Sequence, residues 1–187
     1  MSDGKRETIE GHLSAAGIRF AVLCTRFNYF IVDRLVAGAI DAIKRHGGSD
    51  SAITVVRVPG AFELPLAAKW CAESGRFAGV ACLGVVIRGE TNHYDYVCAE
   101  AASGIQRAQL DTGVPCAFGV ITCSTMEQAE ARAGGDKRDR LGHTLHHQGL
   151  PLDEQFIHDE QVKDAERESG GDPTARAERR RDYPPGD

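Results

Sequence analysis

At 187 residues, 42% of them apolar, the chain is sized for one packed domain with room for a tail. A formal net charge of -5 removes the electrostatic footprint of a general nucleic-acid binder, and no apolar run reaches the ~18 residues of a candidate membrane span. Met1 to Arg19 is polar and mixed in charge, without the apolar stretch of a signal peptide, and the six cysteines stand in apolar segments with no C-x-x-C pair. Reduced, buried thiols in a cytoplasmic protein are therefore expected, and a metal site is not.

Residues 1–18 are expected to form a flexible N-terminal arm. Phe20 to Thr25 is a short apolar run suited to a buried strand, and Asn28 can cap the helix that follows. In that helix Ile31, Leu35, Val36, Ala39, Ile40 and Ile43 share one face, and Gly47-Gly48 closes it. Ile53 to Val58 is a second strand, rich in β-branched residues and broken by Pro59-Gly60. A helix then runs to about Ser74, with Pro65 tolerable only in its first turn. Gly79 to Ile87 reads as the third strand, and a helix extends from Tyr94 to about Leu110. Turn chemistry at Asp111 to Pro115 leads into a fourth strand, Cys116 to Thr122. Ser124 or Thr125 caps a last helix, Met126 to Ala133, with capping-box spacing from Ser124 to Glu127. Four β–α repeats imply parallel strands with right-handed crossovers. The expected fold is an α/β three-layer sandwich, a four-stranded parallel sheet with helices on both faces.

Open sheets of this kind put ligands at the carboxyl ends of their strands. After the first strand comes Phe27, an aromatic able to stack on a flat heterocycle. After the second comes Gly60-Ala61-Phe62-Glu63, a close-approach glycine followed by a carboxylate that can accept from hydroxyls. The third delivers Glu90, Thr91 and His93 in a short loop before a helix start, where N–H groups favour an anion. The fourth brings Phe118, and Arg132 ends the last helix. Each has a plainer reading: core packing for Phe62 and Phe118, helix-end charge for Glu63 and Arg132, a capping role for His93. Together they describe an aromatic-walled cleft with one imidazole able to act as acid or base. No G-x-G-x-x-G or Walker loop accompanies them.

Four stretches carry a resemblance. Arg26-Phe27-Asn28, the run from Val58 to Pro65, the run from Gly84 to Val97, and Phe118 to Thr122 resemble the 6,7-dimethyl-8-ribityllumazine synthase family, in order, across about Phe20 to Gly134. The resemblance implies a flavodoxin-like domain over residues 19–135. It implies an enzyme of riboflavin biosynthesis that condenses a ribitylaminouracil with a butanone phosphate, without metal or redox cofactor. His93 matches the general acid/base and Phe27 the aromatic that stacks on the pyrimidine. Ala61, Phe62 and Glu63 match the ribityl-binding segment, and Val85, Val86 and Ile87 the backbone edge that reads the pyrimidine. Glu90 and Thr91 match the phosphate-side loop. Phe118 and Arg132 match residues supplied by the adjacent subunit, Arg132 as phosphate clamp. The implied assembly is a homo-oligomer, a pentamer or a multiple of pentamers, with the active site at a subunit interface and no nucleic-acid or membrane partner.

Residues 136–187 depart from that pattern. Four of the seven histidines fall here among scattered apolar residues, and the expectation is a weakly ordered polar tail in place of the family's final amphipathic helix. Two origins fit such a tail, a change of reading frame near Lys137 or a lineage-specific extension. Either leads to two expectations: an assembly less stable than its relatives, and an alternative function as a non-catalytic flavin- or lumazine-binding or shell-forming relative.

Overall fold

A computed structural model describes residues 13–134. The expectations placed on residues 1–12 and on the tail from 136 onward, Lys137 included, lie outside the described residues. The strands are β1 (Phe20–Thr25), β2 (Ile53–Val58), β3 (Gly79–Ile87) and β4 (Cys116–Cys123). The helices are α1 (Tyr29–Arg45), α2 (Leu64–Glu73), α3 (His93–Thr112) and α4 (Met126–Arg132), with single 3₁₀ turns at Asp50–Ala52 and Ala61–Glu63.

All strand pairs are parallel, in the order β2-β1-β3-β4. Burial follows from that order. Every residue of β1 is buried, as are the first seven of β3, whereas the edge strand β2 is mostly part-exposed. Central parallel strands covered on both faces need continuous apolar runs, and these two have them. One core layer joins Val22, Cys24, Leu83 and Val85 to Ile31, Leu35, Ala39 and Ile43 of α1 and Ala129 of α4. The opposite layer joins Ala21, Leu23, Val80 and Cys82 to Leu64 and Ala68 of α2 and Ala101 and Ile105 of α3. This is the expected three-layer sandwich.

Small residues let the layers close. A Cβ on Gly104 of α3 would stand 2.7 Å from the Pro65 ring of α2, so these helices meet where a side chain is missing. Pro65 occupies the first turn of α2, where its absent N–H costs nothing. Cys24, Cys82, Cys116 and Cys123 are buried, Cys71 and Cys98 half-buried, and all six are free thiols. Burial pushes the Cys82 thiol well up and the Cys116 thiol up to about 11.

Four local expectations are corrected. Asn28 stands at the N-cap position of α1 but in the left-handed region (φ 57°), and its side chain makes no capping bond. The cap of α4 is Thr125, whose hydroxyl accepts from Gln128 N–H at 3.3 Å, while Gln128 Oε1 accepts from Ser124 N–H at 2.9 Å. Of the two expected caps the structure uses Thr125, and the return bond comes from Gln128 to the residue before the cap and not from Glu127. Helix α3 begins at His93 and reaches Thr112, and β4 takes in Cys123. Packing also reaches back into the expected arm: Ala15 and Ile18 are buried, and Ala15 N–H donates to the His46 carbonyl at 2.7 Å.

Candidate functional site

The chain leaves β1 toward β2 on one side and β3 toward β4 on the other, so the connections diverge between the carboxyl ends of β1 and β3. Such a switch point is where doubly wound sheets open a crevice. Pairing of β1 with β3 ends at Cys24↔Leu83, while pairing of β3 with β4 continues to Ile87↔Cys123. The backbone of Gly84 to Ile87 therefore overhangs β1. Glycine keeps the fork tight at residue 84, where a Cβ would stand 3.0 Å from Thr25 Cγ2 and that side chain would have to give.

Beyond β1 the chain is fastened on three sides. The buried Thr25 hydroxyl donates to the Phe27 carbonyl at 3.1 Å, and Asn28 Nδ2 donates to the Val85 carbonyl at 3.2 Å. Arg26 N–H donates to the Val58 carbonyl at 2.8 Å and Phe27 N–H to the Pro59 carbonyl at 3.1 Å, extending the β1–β2 ladder past both strands. Phe27 is held this way beside the Pro59-Gly60 turn with its side chain 70% exposed. In that turn Ala61 is buried and Phe62 exposed, and Glu63 Oε2 accepts from Gly60 N–H at 2.8 Å. Glu63 is thus a helix-start carboxylate, fixed at the rim of the crevice.

Beyond β3 the polar loop begins at Arg88, whose N–H donates to the Cys123 carbonyl at 2.9 Å. Glu90, Thr91 and His93 are exposed, and the Thr91 hydroxyl accepts from His93 N–H at 3.4 Å. His93 is the first residue of α3, so its imidazole stands at a helix start one short loop from the overhanging edge of β3. The Arg88 guanidinium bridges to Asp95 in the first turn of α3 at 2.7 Å and lies 4.1 Å over the Tyr94 ring. Among the described residues no helix is long and apolar enough to cross a membrane.

The family model for 6,7-dimethyl-8-ribityllumazine synthase matches residues 17–149. The chain belongs to this family. Curated relatives bearing the name 6,7-dimethyl-8-ribityllumazine synthase are close in sequence. The protein of Lawsonia intracellularis is 53% identical over 131 residues, spanning 70% of this chain and 83% of the relative. That of Desulfovibrio desulfuricans is 54% identical over 128 residues, spanning 68% of this chain and 82% of the relative. That of Nitratidesulfovibrio vulgaris (strain DP4) is 53% identical over 128 residues, with the same two shares, 68% and 82%. The family match runs past Gly134, where the motifs alone place its end, to residue 149.

Within this lumazine synthase-family chain, the switch point brings together Phe27, the turn Ala61-Phe62-Glu63, the edge Val85-Val86-Ile87, and the loop with Glu90, Thr91 and His93. Phe118 and Arg132 do not join them. Phe118 lies in mid-strand opposite Cys82, packed against the α2–α3 layer. Arg132 ends α4, and its Nη1 donates to the Gln128 carbonyl at 3.0 Å. Helix α4 packs in the α1 layer, whereas His93 opens α3 on the opposite face.

Three contributors to this geometry were not apparent in the sequence. Thr25 reads there as a strand end, and Asn28 as a cap. Asparagine is also the non-glycine residue most tolerant of the left-handed region, which was the missed signal. Arg88 and Asp95, opposite charges seven apart across a glycine loop, gave no periodic pattern by which to pair them.

Proposed function

We propose that this chain forms 6,7-dimethyl-8-ribityllumazine in riboflavin biosynthesis, condensing 5-amino-6-(D-ribitylamino)uracil with 3,4-dihydroxy-2-butanone 4-phosphate and releasing phosphate. The reaction class is a transferase condensation that uses no metal or redox cofactor. The observation that carries the reading is one crevice holding an exposed aromatic, an overhanging strand edge and a histidine at a helix start, in a chain of this family.

Each part suits one piece of the substrates. The Phe27 ring stacks on the flat pyrimidine, and the backbone of Val85, Val86 and Ile87 supplies donors and acceptors to its polar edge. The turn Ala61-Phe62-Glu63 takes the ribityl chain, with the carboxylate accepting from hydroxyls. N–H groups of the Glu90–Thr91 loop and the Thr91 hydroxyl face the phosphate, aided by the α3 dipole. Glu90 acts there through its backbone, since an ionised carboxylate repels the phosphate. Schiff-base formation, phosphate elimination and ring closure each move protons, and His93 is the group that carries them.

Phe118 and Arg132 contribute from an adjacent subunit, Arg132 as the phosphate clamp. The mid-strand position of Phe118 and the placement of Arg132 on the α1 face, opposite the face that carries α3, support this reading. Large apolar side chains left exposed on one chain, among them Tyr29, Phe62, Trp70, Tyr96 and Leu110, support a homo-oligomer, which we read as a pentamer or a multiple of pentamers. Free, buried thiols fit a cytoplasmic location.

The test couples two readings on one sample: formation of the fluorescent lumazine from the two substrates, and particle mass by light scattering. Turnover in a particle of five subunits or a multiple is the expected result. A particle of that mass without turnover would defeat the enzymatic reading, and turnover by a monomer would defeat the shared site.

A further inference from the structure

The loop from Arg88 to His93 carries the groups assigned to phosphate and proton transfer, yet all of its side chains are exposed, so apolar packing does not set its shape. A Cβ added at Gly89 would meet nothing within 4 Å, so the loop is not wedged by neighbours either. Side chains cross its base: Tyr94 of α3 hydrogen-bonds Thr122 of β4, and Arg88 reaches Asp95. Arg88 is anchored by its backbone to the end of β4, through the Cys123 carbonyl at 2.9 Å. Its guanidinium then reaches the first turn of α3, with Nη2 2.7 Å from Asp95 Oδ1 and Nη1 3.3 Å from Oδ2. The same planar group lies 4.1 Å over the Tyr94 ring. Asp95 N–H in turn donates to the Asn92 carbonyl at 3.0 Å, which ties the carboxylate's own backbone to the loop's last residue before the helix.

We propose that Arg88, Tyr94 and Asp95 are positioning residues. They form a fork-and-ring bracket that ties the first turn of α3 to the end of β3, and so sets where the Thr91 and His93 groups stand against the Val85–Ile87 edge. The inference rests on the function proposed above. A guanidinium suits this task better than an ammonium, because its flat fork engages both carboxylate oxygens while its face covers the ring. Both charged groups are about half exposed, at 46% and 53%. An ion pair so exposed adds little to global stability, so its loss should appear in loop geometry rather than in melting.

The experiment compares the full chain with Arg88→Ala, Arg88→Lys, Asp95→Asn and the double variant Arg88→Ala/Asp95→Asn. Three readouts are taken: kinetics with each substrate varied, amide hydrogen exchange, and melting with particle mass. Arg88→Ala and Asp95→Asn should each lower kcat/KM for the butanone phosphate by about tenfold, as a small misplacement of reacting groups does. The double variant should be no worse than the poorer single, since both break one bracket. Arg88→Lys, which keeps the charge but not the fork, should recover only part of the loss. Exchange at the hydrogen-bonded amides of Arg88, His93 and Asp95 should quicken while β1 and the rest of β3 stay protected, with melting and particle mass unchanged. Unchanged loop exchange in Arg88→Ala would overturn the proposal. So would additive losses in the double variant, or equal losses for both substrates accompanied by lower melting. If the unaltered chain made no lumazine, the functional reading would fall, and the exchange comparison would still decide the bracket.

Discussion

The two sides of the crevice are built differently. On the β1 side, Arg26, Phe27 and Asn28 are fastened to Val58, to Thr25 and Pro59, and to Val85, each through a bond to a main-chain carbonyl. On the β3 side, Thr91 and His93 hang on a glycine loop whose main brace is an exposed ion pair. The difference matches the tasks assigned to them. A flat ring is best received by a surface that does not move, whereas groups that shuttle protons through several steps and release phosphate need a loop that yields. Stability and chemistry should therefore separate between the two sides.

Replacing His93 by alanine should give the largest effect, slowing lumazine formation by about a hundredfold while melting stays unchanged. An unaltered rate would remove the imidazole from the mechanism. On the rigid side the order should reverse. Asn28→Ala gives up a left-handed backbone position, worth about 1–2 kcal/mol, and a hydrogen bond to Val85 worth about 1 kcal/mol, so urea unfolding should show a loss of about 2–3 kcal/mol. Asn28→Gly should recover the backbone share only. Equal stability in the two variants would mean that φ at this position carries no strain. Phe27→Ala should raise KM for the ribitylaminouracil by about tenfold through lost stacking, with melting unchanged because the ring is exposed. A fall in melting instead would make Phe27 a structural residue.

The effect of pH should be the smallest at working conditions. With its thiol raised by burial to about 11 from an ordinary 9.0, Cys116 is protonated below pH 9 whether the chain is folded or not. Between about 9 and 11 the unfolded chain releases this proton and the folded one keeps it, so stability should fall as pH rises through that window. Melting measured across it for the full chain and for Cys116→Ala should diverge, the alanine variant losing less.

Much of this architecture is legible without coordinates. The bounds of β1, β2 and β3 follow from apolar or β-branched runs closed by Arg26, Pro59-Gly60 and Arg88-Gly89. Parallel pairing follows from the β–α alternation. Strand order does not, since periodicity says which residues are buried and not beside what. The tandem Ser124-Thr125 offers two equivalent caps, and only the Gln128 bonds decide between them. Ala15 and Ile18 stand in the short run Leu13 to Ile18, which has neither a helical nor a strand period, so periodicity does not mark them as core. The site divided in the same way. Residues at strand ends were found from the fold rule. The bracket at Arg88 was missed because its partners meet only after the loop has turned. The strand-end rule also names Phe118 and Arg132, but their expected role from an adjacent subunit follows from the family resemblance alone, because a second copy of the chain has no signature in one copy's pattern.

The buried sulfurs turn the sheet into its own recorder. Cys24 sits in β1, Cys82 in β3, and Cys116 and Cys123 at the two ends of β4, all free and all pushed toward the unreactive protonated form. An alkylating reagent can reach such a thiol only when its strand opens. Labelling rates read by mass spectrometry along a urea series would therefore time β1, β3 and β4 separately. They would show whether the edge strand β4, which anchors the Arg88 loop through Cys123, frays before the centre does.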